Sequence, residues 1–421
     1  MTRFLGLDGI RTIACLLVVF HHMAQRFSVP ATNAFLAGLQ RVFLTTAPAG
    51  VSVFFVLSGT LLAYPFWKRY LDNQALPNLR EYALRRAARI IPGFYLVIAL
   101  SLFLELLVLP ASPNRLLRFL TAITFTGGFH YTTFFPVPEL NGPLWSISFE
   151  VFSYILLPFF MAGLFCLGKH HTFRKALYYW FIVLLVIGGL NSLIQTYCQS
   201  DNINRGWQYG VVGGAKYWMP NYNPIGFFAH YIIGIFAAGF MVWFSKHQTI
   251  REKLAGFHFF DLLSVAGLLS FIMILWTQKA TPDFGFSWQN QPYYYPFLAL
   301  SIGIVVATVP YSKIIGHILD NPFSRYTAKI SFGIYIWHYI IMTFVMVVAA
   351  PNHIPSPLKD FSSWITIMLV SLVLTYTIAS LSWYYLEKPI LDFTHQKLKH
   401  IKIKKEAMYS QINRRPHRFH Q

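Results

Sequence analysis

The sequence predicts an all-α, polytopic membrane protein with about ten transmembrane helices and both termini inside (N-in and C-in). Three observations carry this. Hydrophobic residues make up 55% of the 421 positions and charged residues only 12%, against about 25% charged in soluble domains. Mean hydropathy is +0.48, and apolar runs of roughly 17 to 25 residues, each long enough to cross a bilayer, recur along the whole chain. Lys and Arg collect on alternate sides of those runs, the asymmetry that orients membrane proteins.

The expected spans lie near 5–24, 48–66, 90–109, 143–166, 177–196, 225–244, 259–277, 295–310, 330–350 and 364–386. The start has a basic residue and then an apolar run, but it contains charges and lacks a small-residue cleavage site. It therefore reads as an uncleaved first span rather than a signal peptide. The apolar stretch 117–129 is too short to span and is expected to be interfacial or re-entrant. With the N-terminus inside, every inner segment is basic, whereas the outer loops hold only Arg26, Arg41, Arg115, Arg118, Arg205, Lys216, Lys279 and Lys359. Residues 1–393 form the membrane domain and 394–421 a basic cytoplasmic tail suited to the anionic inner leaflet. The net charge of +19 is thus largely topological, which argues against a nucleic-acid partner. Cys15, Cys166 and Cys198 form neither a disulfide framework nor a metal spacing, His170 and His171 read as solvated, and no metal is expected.

Ionisable groups inside spans mark candidate sites, because a charge at mid-bilayer costs about 2.5–3.5 kcal/mol on insertion scales. In the first span, "LDGIRTIACLLVVFHH", Arg11 and His22 fall on one helical stripe, separated by roughly 16 Å along the axis. Asp8 and Cys15 share that face, His21 points elsewhere, and Asp8 is close enough to pair with Arg11. Glu150 lies inside the fourth span with Ser146 one turn earlier, and a carboxylate there requires a partner or a proton. His338 sits near the middle of the ninth span. Arg86 and Arg89, at i and i+3, aim two guanidiniums from the inner mouth of the third span and suit a phosphate-bearing ligand; Arg85 reads as anchoring.

Taken together these stretches resemble acyltransferase family 3, a family of integral membrane proteins. The stretches that carry the resemblance are "LDGIR" with Arg11 and His22, "FFVLSG" with Ser58 and Gly59, and "RRAARIIP" with Arg86, Arg89 and Pro92. They continue with "PLWSISFE" carrying Trp145, Ser146 and Glu150, "SFGIYIWH" ending at His338, and "YYLEKPI" with Glu387 and Pro389. They stand in the family's order from residue 7 to about 391, with small departures at Thr12, Thr60 and Phe332. Some relatives carry a C-terminal esterase-like domain, which this chain is expected to lack.

The resemblance implies an O-acyltransferase of the bacterial inner membrane. Its donor would be cytosolic acyl-CoA, acetyl-CoA above all, and its acceptor a hydroxyl of an extracytoplasmic polysaccharide, lipopolysaccharide or other glycan. On this reading Arg86 and Arg89 hold the CoA phosphates, and Arg11, held by Asp8, orients the donor. His22 is the general base, aided electrostatically by Glu150, and His338 is the second-choice base. Ser58, Trp145 and Ser146 contact substrate. A transient acyl-His is an open alternative to general base catalysis. The rival reading is a transporter or flippase for a polar or anionic solute, which would also use buried charges and aromatic loops. The loop aromatics Trp207, Tyr209, Tyr217, Trp218 and Tyr222 suit sugar stacking or an interfacial belt.

Overall fold

The computed structural model describes residues 3–27, 34–46, 49–108, 114–168, 170–197, 203–277, 297–349 and 361–413. Among these the chain is helical and contains no strand. In chain order the helices are α1 (Leu7–Arg26), α2 (Ala34–Thr46), α3 (Ala49–Leu71), α4 (Leu79–Val108), α5 (Arg115–Ile123) and α6 (Pro138–Asn141). Then come α7 (Trp145–Cys166), α8 (Phe173–Tyr197), α9 (Gly210–Trp218), α10 (Pro224–Lys246), α11 (Gln248–Gly256) and α12 (Phe259–Thr277). The last five are α13 (Phe297–Thr308), α14 (Ile315–Leu319), α15 (Pro322–Ala349), α16 (Phe361–Ser382) and α17 (Lys388–Asn413). A π-helical turn, Trp383–Glu387, joins α16 to α17.

Among the described residues, nine helices are long and apolar enough to cross a membrane. The remaining expected window, 295–310, is described from Phe297 onward, and there α13 runs for 12 residues. Pro310 explains its end: the chain leaves the α-helix in the 3-10 turn Val309–Tyr311, since proline cannot continue the hydrogen-bond ladder. Two short helices lie outside the expected spans. In α2 the apolar run is broken by Gly38, Gln40 and Arg41, yet the helix lies against α1, with Gln40 Nε2 donating to the Ala24 carbonyl at 2.7 Å. The segment 117–129 forms α5 and the 3-10 turn Gly127–Phe129, and Arg118, assigned to an outer loop, is buried with Nη1 donating to Phe135 O at 2.6 Å.

At the centre stand α3 and α10, the pair in most extensive contact. Their backbones touch because each presents a glycine to the other. A Cβ on Gly59 would lie 2.2 Å from Tyr231 O, and one on Gly234 would lie 2.0 Å from Val56 O. Close approach at small residues is the usual basis of helix association in lipid. Local sequence sets the start of α10: Asn223 caps it, its side chain accepting from Gly226 N at 2.9 Å, and Pro224 occupies the first turn. The enclosed spans are α10 and α15, with 83% and 78% of their apolar windows buried, against 22% for α8. Phe181, Ile182, Leu185 and Val186 of α8 are exposed, and in a membrane protein such a face meets lipid. Helix α1 lies between α3 and α15, and so carries its polar stripe into the interior.

Candidate active site

The seam between α1 and α15 sets polar contacts among its apolar packing. Thr12 Oγ1 donates to Ser324 O at 2.9 Å, and Cys15 Sγ approaches Ser331 O at 3.8 Å. Further along the seam His338 Nε2 and His22 Nδ1 stand 3.1 Å apart. The partners settle the tautomers, because carbonyl oxygens only accept. His338 Nδ1 lies 2.7 Å from Tyr335 O and 3.1 Å from Ile334 O, so it carries the proton and Nε2 keeps a lone pair. His22 Nδ1 faces that lone pair and, at 2.9 Å, Val18 O. It therefore carries the proton too, and the lone pair of His22 is left on Nε2. His338 is fully buried and His22 half-buried. His21, on the other side of α1, turns to Phe43 O of α2 at 3.4 Å, as the helical wheel predicts. Tyr339 closes the site, its ring edge-on to His22 at 5.3 Å with the Arg26 guanidinium 4.3 Å over its face.

Along α1 toward its N-terminus lies a cavity of about 480 Å³, walled by α1, α3, α4, α7, α15, the π turn and the start of α17. It brings together Asp8, Arg11, Ser58, Arg86, Arg89, Ser146 and Glu150. Glu150 accepts hydrogen bonds from Ser58 Oγ, at 3.3 Å, and from Tyr154 Oη. Arg11 lies within electrostatic reach of Asp8, Glu150 and Arg86. Arg89 is bound to Glu387 of the π turn, Nη1 to Oε2 at 3.2 Å, with Glu387 only 1% exposed and held also by Ser382 Oγ at 3.3 Å. The Arg89 guanidinium is flanked by the rings of Trp383 and Phe332, at 5.1 and 5.6 Å. Among the described residues Arg86 has no ion pair or hydrogen bond, which distinguishes it from Arg89.

One residue of α15 joins the two places. Tyr335 Oη donates to Pro143 O at 2.5 Å and so accepts from Ser146 Oγ, also at 2.5 Å, beside the cavity. Its carbonyl, in turn, holds His338 Nδ1.

The structure departs from the expected site in three respects. Asp8 does not bond Arg11: its carboxylate is taken by Arg3 Nε at 3.2 Å, because Gly6, at φ 75°, turns the preceding chain back over the first helical turn. Glu150 is held by Ser58 and Tyr154 on the cavity side, whereas His22 is bonded to Val18 O and His338. Trp145 is packed rather than open to a ligand, stacked on Phe134 at 5.5 Å and edge-on to Tyr222 at 5.5 Å and Phe227 at 5.7 Å. Trp218 and Tyr222 join this cluster and Trp207 packs edge-on against Trp218 at 5.5 Å, whereas Tyr209 and Tyr217 are exposed. Tyr154, Tyr335 and Arg3 were not anticipated. Tyr154 stands four residues after Glu150, the helical neighbour spacing, and was in principle findable. Among the described residues no group of three His, Cys, Asp or Glu side chains could hold a metal ion.

Comparison with known proteins agrees with this architecture. A family model described as an acyltransferase domain, that of acyltransferase family 3, matches residues 4–383. The peptidoglycan O-acetyltransferase OatA of Listeria monocytogenes is 25% identical over 408 residues, covering 91% of this chain and 55% of the relative. A Staphylococcus aureus (strain COL) protein provisionally named an O-acetyltransferase is 23% identical over 398 residues, covering 91% of this chain and 56% of its own length. The chain thus spans about half the length of the curated relatives it matches. The match across nearly all the membrane helices, with the motif residues gathered in one interior, makes this chain a member of acyltransferase family 3.

Proposed function

We propose that this membrane acyltransferase takes an acetyl group from acetyl-CoA on the inner side of a bacterial cytoplasmic membrane. It passes the group to a hydroxyl of a cell-envelope glycan on the outer side. Peptidoglycan, the polymer in the name of the Listeria relative, is the first acceptor to test. The observation that carries the proposal is the hydrogen-bonded His338–His22 pair, which leaves a lone pair on His22 Nε2. An alcohol cannot attack a thioester efficiently without losing its proton, and a neutral, oriented imidazole is suited to take it. His22 Nε2 accepts the hydroxyl proton as the oxygen bonds to the thioester carbonyl carbon. The carbon–sulfur bond then breaks, His22 returns the proton to the CoA sulfur, and the products are an ester and free CoA.

His338 is assigned a positioning role: its lone pair and Val18 O together fix His22 Nδ1 as the protonated nitrogen. This replaces the reading of His338 as a rival base. In the cavity Arg11 orients the donor, and Arg86, which makes no ion pair or hydrogen bond among the described residues, is the stronger phosphate ligand; Arg89 has its charge answered by Glu387. With the N-terminus inside, the cavity lies toward the cytosol and His22 toward the outer leaflet. Wild-type membranes given acetyl-CoA labelled on the acetyl group test this. Label in envelope glycans, with free CoA thiol released in step, is expected. Unlabelled glycans with intact acetyl-CoA would overturn the reading and favour a transporter.

A further inference from the structure

A second, larger cavity of about 1150 Å³ abuts the first, the two sharing Arg85, Arg86 and His395 in their walls. One wall is formed by α3 and the start of α4. The other is a face of α17, where His395, Leu398, Lys399 and Lys402 recur at helical spacing. This helix lies wholly beyond the residues that match the family model. Seven cationic side chains line the cavity, from Lys68 and Arg69 on one wall to Lys399 and Lys402 on the other, against the two carboxylates of Asp72 and Glu81. Both carboxylates are already engaged, Asp72 with Lys246 at 2.6 Å and Glu81 with Arg85 at 2.5 Å. Excess positive charge therefore faces the same space from both walls, and a cleft lined by one sign of charge concentrates ligands of the other.

The volume far exceeds that of one phosphate. Tyr64 and Tyr82 add aromatic rings to the lining, and the cavity leads by way of Arg86 toward Arg11. A ligand matching this shape has a polyphosphorylated, aromatic head and a slim arm that passes onward. We propose that α17 completes the donor site, with Lys399 binding the phosphates of the adenosine bisphosphate head of acyl-CoA. The inference rests on the acyl-CoA reading above.

The test uses the purified full chain in neutral detergent, with acetyl-CoA and S-acetylpantetheine, which lacks the nucleotide, as alternative donors. Lys399→Glu is expected to raise KM for acetyl-CoA about tenfold with kcat kept. Inhibition by adenosine 3′,5′-bisphosphate should weaken in parallel, and Lys399→Arg should restore both. S-acetylpantetheine should show no such KM shift. An unchanged KM for acetyl-CoA, or an equal change with both donors, overturns the proposal while leaving the acyl-CoA reading in place. A KM shift seen only when phosphatidylglycerol is added assigns the lysine to a lipid headgroup and also overturns it. A wild-type protein that consumes neither donor removes the reading and this inference together.

Discussion

Two helix seams run through the interior, and they are built on opposite principles. The α3–α10 seam is closed by glycine: Gly59 and Gly234 sit against the backbone of the partner helix, with no room for a methyl group. The α1–α15 seam is closed by polar contacts, from Thr12 and Ser324 at one end to His22 and His338 at the other. In lipid, helix association draws on packing and interhelical hydrogen bonds rather than on hydrophobic burial. The first seam is set by this close approach of backbones. The second gives up some of that packing for side chains that would be costly unpaired, and each imidazole nitrogen facing the seam has a partner. In the proposed mechanism the chemistry lies on the polar seam, and the glycine seam holds the bundle around it.

Substitution at the two seams should therefore produce different kinds of failure. The largest effect is expected at Gly234→Val. The obstructing atom is a backbone carbonyl that cannot move aside, so the loss should exceed the roughly 1–3 kcal/mol typical of overpacking. It should be read as a collapse of the melting transition in detergent. A variant that melts like wild type would mean that the seam is looser than described. Next is His338→Leu, which removes the acceptor holding His22 Nδ1–H. Loss of such an orienting partner typically costs about 10- to 100-fold. The fall should appear in kcat, with KM for acetyl-CoA and the melting temperature kept. An equal rise in KM would assign His338 to binding instead.

The smallest effect is expected at the end of the bundle, where Asp320 bonds Arg325 and Arg3. The hydrogen bond from Arg325, with help from the charge of Arg3, holds the Asp320 carboxyl below its usual range. A depressed carboxyl stabilises the fold above the ordinary Asp value of about 3.9 and loses that contribution as pH falls through its folded value. Asp320→Asn should thus lower the melting temperature slightly at pH 7. The difference should shrink in acid and in high salt, because both arginines are about half exposed. A deficit that persists in acid would show that packing, not charge, is at work.

What the sequence makes legible follows from the range of each contact. The stripe of Arg11 and His22 and the aim of Arg86 are set by helical period within one span, and the structure has them on the faces expected. The nine long helices follow in the same way from apolar length. What joins them does not. His22 and His338 are 316 positions apart, Arg89 and Glu387 are 298 apart, and no local pattern announces either pair. Asp8 was paired with the arginine one turn away because helical spacing allows it. It bonds Arg3 instead because a left-handed glycine redirects the chain outside the helix. The motif glycine in "FFVLSG" is visible as a letter, but its reason, a backbone crossing with α10, is tertiary.

The claim that His22 Nε2 takes the acceptor's proton is tested most directly by His22→Ala. The purified variant would be given labelled acetyl-CoA and a glycan acceptor, with melting temperature and coenzyme A binding measured alongside. Transfer is expected to fall about 10²- to 10⁴-fold while melting and coenzyme binding stay at wild-type values. Transfer at the wild-type rate by a folded, coenzyme-binding His22→Ala protein would contradict the assignment.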